Sequence, residues 1–550
     1  MALGVDGGVG RAEPLAGSFR FDALIAAVGR GQIGPVVDDH RRARPGRVFV
    51  AVRGRHVDAR AFAVDAARAG CVAVVARGEP PADWAGAAPG CAWVRVGDDR
   101  RALSRLAAAQ HGDPSHDLGV TAVTGTNGKT TVTYLMEAIW RAQGIVSGRI
   151  GTVEIRVADR TYPPAMTTPD PLSLHGWLRR MHRHGVREVA MEASSHALAQ
   201  RRLDDVAVDV AVLTNVRRDH LDYHGTLRAY RDAKGRLFTR LLGRSPGRGQ
   251  AFAVLPVADP AAPVFAARTP AQVWWYGVDG EEPVPGAHGP QVRAEGVEMR
   301  RWGSRLRLCL PSGTATLDLP LPGRFNVRNA AAAAAAAAAR GTPLDAIVAG
   351  LSAASGAPGR AEVLYDGEFA IVLDFAHNPD ALQEVLAAAR PLVGPGGRLL
   401  CLMGAEGDKD KGKRPLMGEV AGRLSDLLWV TSDSPRGEDP AQVVAQVAAG
   451  ARGTRAAVVC DPDRQRSIAA AVRSLGPGDV LVVAGRGPET VQVVGGRRLR
   501  WSDAGAVRAA LAGRGETREA VGVGGGPGSL PAGERALVPV LAGGIAGPGP

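Results

Sequence analysis

The segment Thr124-Gly125-Thr126-Asn127-Gly128-Lys129-Thr130-Thr131 restricts the possible folds of this chain more than any other. It follows Val120-Thr121-Ala122-Val123-Thr124, a short run typical of a buried strand, and it opens into a helical pattern. Strand, glycine-rich turn and helix together present backbone N–H groups and a helix N-terminus to an anion. The general GxxxxGK[ST] loop has a glycine where Val123 stands; the lysine and hydroxyl keep their register. Lys129 is expected to reach the β- and γ-phosphates of a nucleotide, and Thr130 to touch Mg²⁺. Such a unit sits in a parallel sheet covered by helices, so an α/β fold is expected.

Lysine usage adds a second signal. The chain has five lysines (Lys129, Lys234, Lys409, Lys411 and Lys413) among 67 basic residues. Arginine serves almost everywhere else, so a retained lysine marks a place where a guanidinium would fail. Lys234 stands alone on a polar helical stretch, Tyr230 to Phe238. An amine can lose its proton and react, and a guanidinium in practice cannot. Lys234 is therefore a candidate for covalent modification.

At 550 residues about three domains are expected. The net charge of +12 is spread along the chain without basic runs interleaved with aromatics. That argues against nucleic acid and for small anionic ligands. Cys71, Cys91, Cys309, Cys401 and Cys460 lack metal-ligand spacing, so buried thiols in a reducing compartment are expected. There is no long apolar run and no signal-peptide core, which points to a soluble cytoplasmic protein without a membrane partner.

Strand-like and helical stretches alternate from Phe19 to Val96, and a polar break at 111–117 marks a boundary. Strands are expected at Val120–Thr124, Glu188–Glu192 and Val206–Leu213, in the βαβ pattern of a parallel sheet. Residues 284–320 read as antiparallel strands, and Ala330–Ala339 as a helix. A linker at 356–360 precedes another α/β unit with strands near 371–375, 399–403, 427–430 and 479–484. The expected organisation is a loose N-terminus 1–18, domains 19–117, 118–357 and 358–514, and a disordered Gly/Pro/Ala-rich tail 515–550.

Two further motifs follow strands: Glu192-Ala193-Ser194-Ser195-His196 and Asn215 to Gly225. Strand ends of a parallel sheet face the ligand crevice. Glu192 and a histidine of these loops are suited to a hard divalent cation. Taken singly, each histidine reads as an ordinary loop residue; the density of motifs favours the site.

With these motifs the chain resembles the Mur ligase family, the ATP-dependent amide-forming enzymes of peptidoglycan precursor synthesis. The resemblance runs from about residue 36 to 512. It includes Pro45–Val52, the loop at 124–131, Thr167-Thr168-Pro169-Asp170, the two motifs above, Phe325–Asn329, Pro358–Glu362, Asp374–Asp380, Gly412–Pro415 and Asp433–Arg436. It implies three domains: one for a UDP-sugar, a central P-loop ATPase and a Rossmann-like C-terminal domain that closes over nucleotide and amino acid. It implies that Gly125, Thr126, Asn127, Gly128, Lys129, Thr130, Thr131, Asn329, Arg360 and Asp374 hold ATP. Thr130, Glu192, His220 and a carbamylated Lys234 would hold Mg²⁺, with Lys129, Glu192, His220 and Lys234 as the catalytic set. Thr167, Thr168, Ser194, Gln200 and Arg202 would contact a UDP-N-acetylmuramoyl dipeptide. Lys409, Asp433, Ser434, Arg436, Gly485 and Glu489 would receive the incoming amino acid. The implied reaction activates a carboxylate as an acyl phosphate, which the amine then attacks; the protein is expected to work as a monomer.

The departures from the family pattern lie at the substrate ends. Asp39-His40-Arg41 replaces Asp-Ser-Arg, and Met166 replaces an asparagine. In the amino-acid pocket of diaminopimelate-using members, Ser434 replaces asparagine and Lys409 an arginine, and Gly-Lys-Gly-His-Glu reads Gly485-Arg486-Gly487-Pro488-Glu489. Arg436 and Glu489 keep a carboxylate fork and an ammonium partner, which suits meso-diaminopimelate. A diverged ligase for another amino acid or carboxylate donor stays open, as does a P-loop regulatory protein without ligation.

Overall fold

The computed structural model describes residues 20–54, 57–243 and 249–514. The expectations for 1–18 and 515–550 fall outside the described residues. Three α/β sheets and a short hairpin form among them.

The first sheet is parallel and four-stranded, ordered Val36–Val37, Val48–Val50, Ala73–Arg77 and Ala92–Val96. One face packs Leu24, Val28 and Leu106 from the helices Phe21–Gly29 and Asp99–Gln110. The other packs Phe49 against Trp84 and Trp93.

The second sheet has eleven strands. At its centre Gly119–Thr124 lies between Val210–Leu213 and Glu188–Glu192, parallel to both. Its neighbours run on in parallel through Ser147–Ile150 on one side and through Phe252–Pro256 and Gln272–Val278 on the other. The expected strand 206–213 begins only at Val210. Just before it, Asp209 turns its carboxylate to the Val120 amide, at 2.7 Å. Residues 284–320 are antiparallel as expected, except that Val292–Arg300 also pairs in parallel with Gln272–Val278. The alanine run lies in the helix Arg324–Ala339, nearly all of it buried against Leu135 and Ile139 of the helix Lys129–Ala142. Small side chains permit that approach. On the following helix, Leu344–Ser352, a methyl group at Gly350 would overlap the Ile139 backbone.

The third sheet is six-stranded, ordered Glu362–Asp366, Ala370–Asp374, Val480–Ala484, Leu399–Met403, Leu427–Val430 and Ala457–Cys460. Its first pair is antiparallel and the rest are parallel. The hairpin Val491–Val494 with Arg497–Arg500 follows it. The cysteine expectation needs correction. Cys71, Cys91 and Cys401 are buried, but Cys309 is half-buried and Cys460 is exposed, because Cys460 ends an edge strand. No helix among the described residues is long and apolar enough to cross a membrane.

Candidate functional site

The C-terminal ends of the central strands of the second and third sheets face each other across one cleft. Gly125 and Gly128 have φ of 150° and 88°, and a Cβ on either would overlap Thr214 or Asn329. Glycine is therefore required for the loop to turn under the second sheet. Thr126 Oγ1 lies 3.0 Å from Tyr230 Oη, and the Asn127 amide donates to Asn215 Oδ1 at 3.1 Å. Lys129 Nζ donates to the carbonyls of Gly125 and Thr126 at 3.0 and 2.9 Å. Burial pushes its ammonium down from the usual lysine range.

Thr130 and Glu192 meet directly, Thr130 Oγ1 donating to Glu192 Oε1 at 2.9 Å. Thr152 holds both carboxylate oxygens: its amide donates to Oε1 at 2.8 Å and its hydroxyl to Oε2 at 3.1 Å. That hydroxyl also meets Thr167 Oγ1 at 3.1 Å. Thr168 donates to the Glu192 carbonyl at 2.7 Å and accepts from the Ser194 amide at 3.1 Å. Arg202 donates to the Thr168 carbonyl at 2.6 Å and to Gln200 Oε1 at 2.7 Å. Thr167, Thr168, Ser194, Gln200 and Arg202 thus form one connected wall.

Lys234 lies on the helix Leu227–Arg236, is almost fully buried, and donates to Gly125 O at 2.7 Å. Burial and then the nearby Lys129 hold its ammonium well below the lysine range. His220 lines the same cleft as Thr130 and Glu192. Its φ is 54°, and burial pushes its pKa down to about 2, so the ring is neutral. No cluster of three His, Cys, Asp or Glu side chains with metal-binding geometry forms among the described residues.

The third sheet contributes the opposite wall. Gly359 has φ 64° and packs against the Gly487–Pro488 backbone, which brings Arg360 into the cleft. Arg360 Nη2 donates to Thr130 Oγ1 at 3.2 Å and its guanidinium lies 4.4 Å from the Phe375 ring centroid. Asp374 accepts from the Ala361 amide at 2.6 Å, and burial raises its pKa. Asn329 and Thr131 line a cavity of 290 Å³ together with Arg360 and Asp374. Beside it is a 550 Å³ cleft that reaches from Lys129 and Glu192 to Lys409, Asp433, Arg436, Gly485 and Glu489. There Arg436 pairs with Glu406 at 2.7 Å. Glu489 is pushed up to about 8 by burial, then by the charge of Asp433. Ser434 sits behind this wall, accepting from Arg486 at 2.8 Å.

Several participants carried no assignment from sequence. Asn378 and Asn127 exchange amide hydrogen bonds at 3.0 and 3.3 Å. Asp219 lies 3.5 Å from both Lys413 Nζ and His377 Nε2. Burial works to raise Asp219, but His377, Lys413 and His220 hold it well below the usual carboxylate range. Asn378, Asp219 and Lys413 lie inside recognised motifs, which was the available signal. Thr152 and Glu406 lie outside the quoted motifs.

A glycine-rich loop between a central parallel strand and a helix, closed by a second sheet that brings an arginine to its hydroxyl, is the arrangement expected of a nucleotide-dependent transferase or ligase. The family comparisons resolve which. Residues 123–337 match the Mur ligase middle domain, and 359–487 match the Mur ligase, glutamate ligase domain. The UDP-N-acetylmuramoyl-L-alanyl-D-glutamate--2,6-diaminopimelate ligase of Geobacillus kaustophilus is 41% identical over 478 residues, 87% of this chain and 94% of that protein. The UDP-N-acetylmuramyl-tripeptide synthetase of a Roseiflexus species is 39% identical over 496 residues, 88% of this chain and 95% of that protein. A solved UDP-N-acetylmuramoyl-L-alanyl-D-glutamate--2,6-diaminopimelate ligase superposes with a TM-score of 0.60 at 31% identity, covering 88% of this chain and 96% of its own. The chain belongs to the Mur ligase family of ATP-dependent amide-forming ligases.

Proposed function

We propose that this protein joins meso-2,6-diaminopimelate to UDP-N-acetylmuramoyl-L-alanyl-D-glutamate, using ATP, in the cytoplasm and as a monomer. One observation carries the reading: a single cleft runs from the phosphate loop, past Glu192 and Arg202, to the Arg436–Glu489 pocket. Nucleotide, carboxylate donor and amine acceptor can therefore meet. The relatives named above, which span nearly the whole chain, support the choice of substrates.

In this reading residues 19–117 bind the UDP-sugar, 118–357 bind ATP and 358–514 bind the amino acid. The loop amides, Lys129 and Arg360 offset the negative charge that builds up as the donor carboxylate attacks the γ-phosphorus. The Thr130–Glu192 oxygen pair suits a hard divalent ion, with substrate oxygens and His220 around it. When bound, Mg²⁺ supplies charge neutralisation between carboxylate and phosphate. Lys234 becomes an anionic oxygen ligand on carbamylation, which a buried amine of depressed pKa favours. Asn127–Asn378 and Lys413–Asp219 hold the walls together and keep water from the acyl phosphate.

A second reading has support in the pocket itself. Ser434 is engaged by Arg486 rather than turned to the cleft, so a different amino acid as acceptor is the alternative. Phosphate release with mass analysis of the product decides between them. Mg-ATP and the UDP-dipeptide are supplied with meso-diaminopimelate, L-lysine or other amino acids in turn. A tripeptide with diaminopimelate alone supports the first reading; no turnover with this UDP-substrate sinks both.

A further inference from the structure

Arg486 is a fully buried guanidinium on the loop that follows the strand Val480–Ala484. Asp433, Arg436, Gly485 and Glu489 line the cleft, and Arg486 stands behind them. Its Nη1 donates to Ser434 Oγ at 2.8 Å and to Asp433 Oδ1 at 3.1 Å, and its Nη2 donates to the Val491 carbonyl at 2.8 Å. Nη1 also lies 3.4 Å from Glu489 Oε2. One side chain thus joins the loop after Leu427–Val430, the start of the hairpin at 491 and the glutamate of the pocket.

Backbone contacts carry this linkage to Arg436. Val493 N donates to Ser434 Oγ at 3.3 Å, Arg436 N donates to Val493 O at 3.0 Å, and Gly495 N donates to Arg436 O at 2.8 Å. Between these bonds Arg436 has φ 55°, a left-handed conformation unfavourable for a residue with a Cβ. Its surroundings must therefore impose that conformation. The hairpin imposes it, and the hairpin is fastened by Arg486 and Ser434.

We propose that Arg486 and Ser434 form a paired positioning element that sets amino-acid specificity by fixing the spacing of Arg436 and Glu489. The inference rests on the amino-acid-ligase reading of the cleft. The acceptors of Arg486 are spread over the loop at 433–434 and the hairpin start at 491. A planar fork reaches all of them, whereas an ammonium concentrates its donors at one point. The short serine leaves the fork room to reach Val491 and Asp433 as well. Arg486 acts through Asp433, Ser434 and the hairpin, without touching substrate.

The test uses R486K, S434A, S434N and the double variant R486K/S434N in the full chain. KM is measured for ATP, the UDP-dipeptide and meso-diaminopimelate separately. R486K and S434A should each raise the amino-acid KM roughly tenfold, with the ATP KM unchanged within about twofold. R486K/S434N should recover most of the loss, because the longer amide restores the reach given up with the guanidinium. Equal rises in all three KM values, or losses that simply multiply in the double variant, would overturn the pairing. Hydrogen exchange gives a readout free of turnover: amides at 433–436 and 491–495 should exchange faster in R486K than in wild type. If wild type ligates no amino acid, the ligase reading fails. The positioning role then stands or falls on whether exchange at these segments changes.

Discussion

Lys129 and Lys234 donate to the same carbonyl oxygen, that of Gly125, at 3.0 and 2.7 Å. Two buried ammonium groups on one acceptor repel each other, and the neutral form of Lys234 relieves that repulsion. In the proposed carbamylation the neutral amine would bond to CO₂ and release one proton, leaving an anionic oxygen ligand beside the glycine-rich loop. ¹³C-bicarbonate labelling should give one carbamate resonance in wild type and none in K234R. K234R should lower kcat by on the order of 10²–10³-fold, the usual loss when a stabilising charge is removed. A K234R enzyme with unchanged kcat would rule out the carbamate role.

Thr152 orients Glu192 through its amide and its hydroxyl. T152V keeps the shape and the amide but removes the hydroxyl, with its bond to Glu192 and its contact to Thr167. With that bond worth about 1 kcal/mol, the Mg²⁺ concentration for half-maximal activity should rise by roughly fivefold while kcat at saturating Mg²⁺ changes little. A Mg²⁺ titration of both enzymes checks this. An unchanged midpoint would mean the amide alone suffices.

Polar contacts join the two large units, among them Arg360 to Thr130, Arg328 to Glu384 and Trp302 to Asp366, and two further pairs stand beside the glycine-rich loop. Asn378 exchanges hydrogen bonds with Asn127, and Lys413 reaches Asp219 at 3.5 Å. N378A leaves the Asn127 amide unmatched and weakens closure. Small-angle scattering should show a larger radius of gyration for N378A than for wild type. In turnover, ATP hydrolysis should exceed amide formation, because water reaches the acyl phosphate. Coupled, stoichiometric turnover in N378A would place the closure energy elsewhere.

The strand, glycine-rich turn and helix over 119–142 were readable because the strand, the glycines and the helix start occupy neighbouring positions. The strands Leu399–Met403 and Leu427–Val430 were readable to the residue for a similar reason: each is a short apolar run ended by loop residues. Thr152 was not, because a lone threonine in a loop has no signature until Glu192 is placed beside it. The Asn127–Asn378 pair spans 251 residues and exists only through the facing of two sheets. Arg486 was visible as a departure from the family pattern, but its partners belong to a hairpin at 491–500 that no periodicity announced. The parallel pairing of Val292–Arg300 was hidden for a comparable reason: alternation marks a strand, while its partner's direction depends on how the chain returns.

Glu489 makes stability depend on pH in a direction opposite to most carboxylates. Its pKa is raised from 4.5 to about 8, first by burial and then by Asp433, with Glu406 adding to the rise. Between these values the unfolded chain releases the proton while the folded protein keeps it. The unfolded state then binds fewer protons, so unfolding free energy falls as pH rises. The contribution is fully present below about pH 4.5 and is lost by about pH 8. E489Q removes this titration, since the amide mimics the protonated acid at every pH. The Tm of E489Q minus that of wild type should therefore increase steadily from pH 5 to pH 8 and then level off. An equal Tm difference at both ends of that range would mean that Glu489 is ionised throughout, its charge satisfied by Arg486 at 3.4 Å.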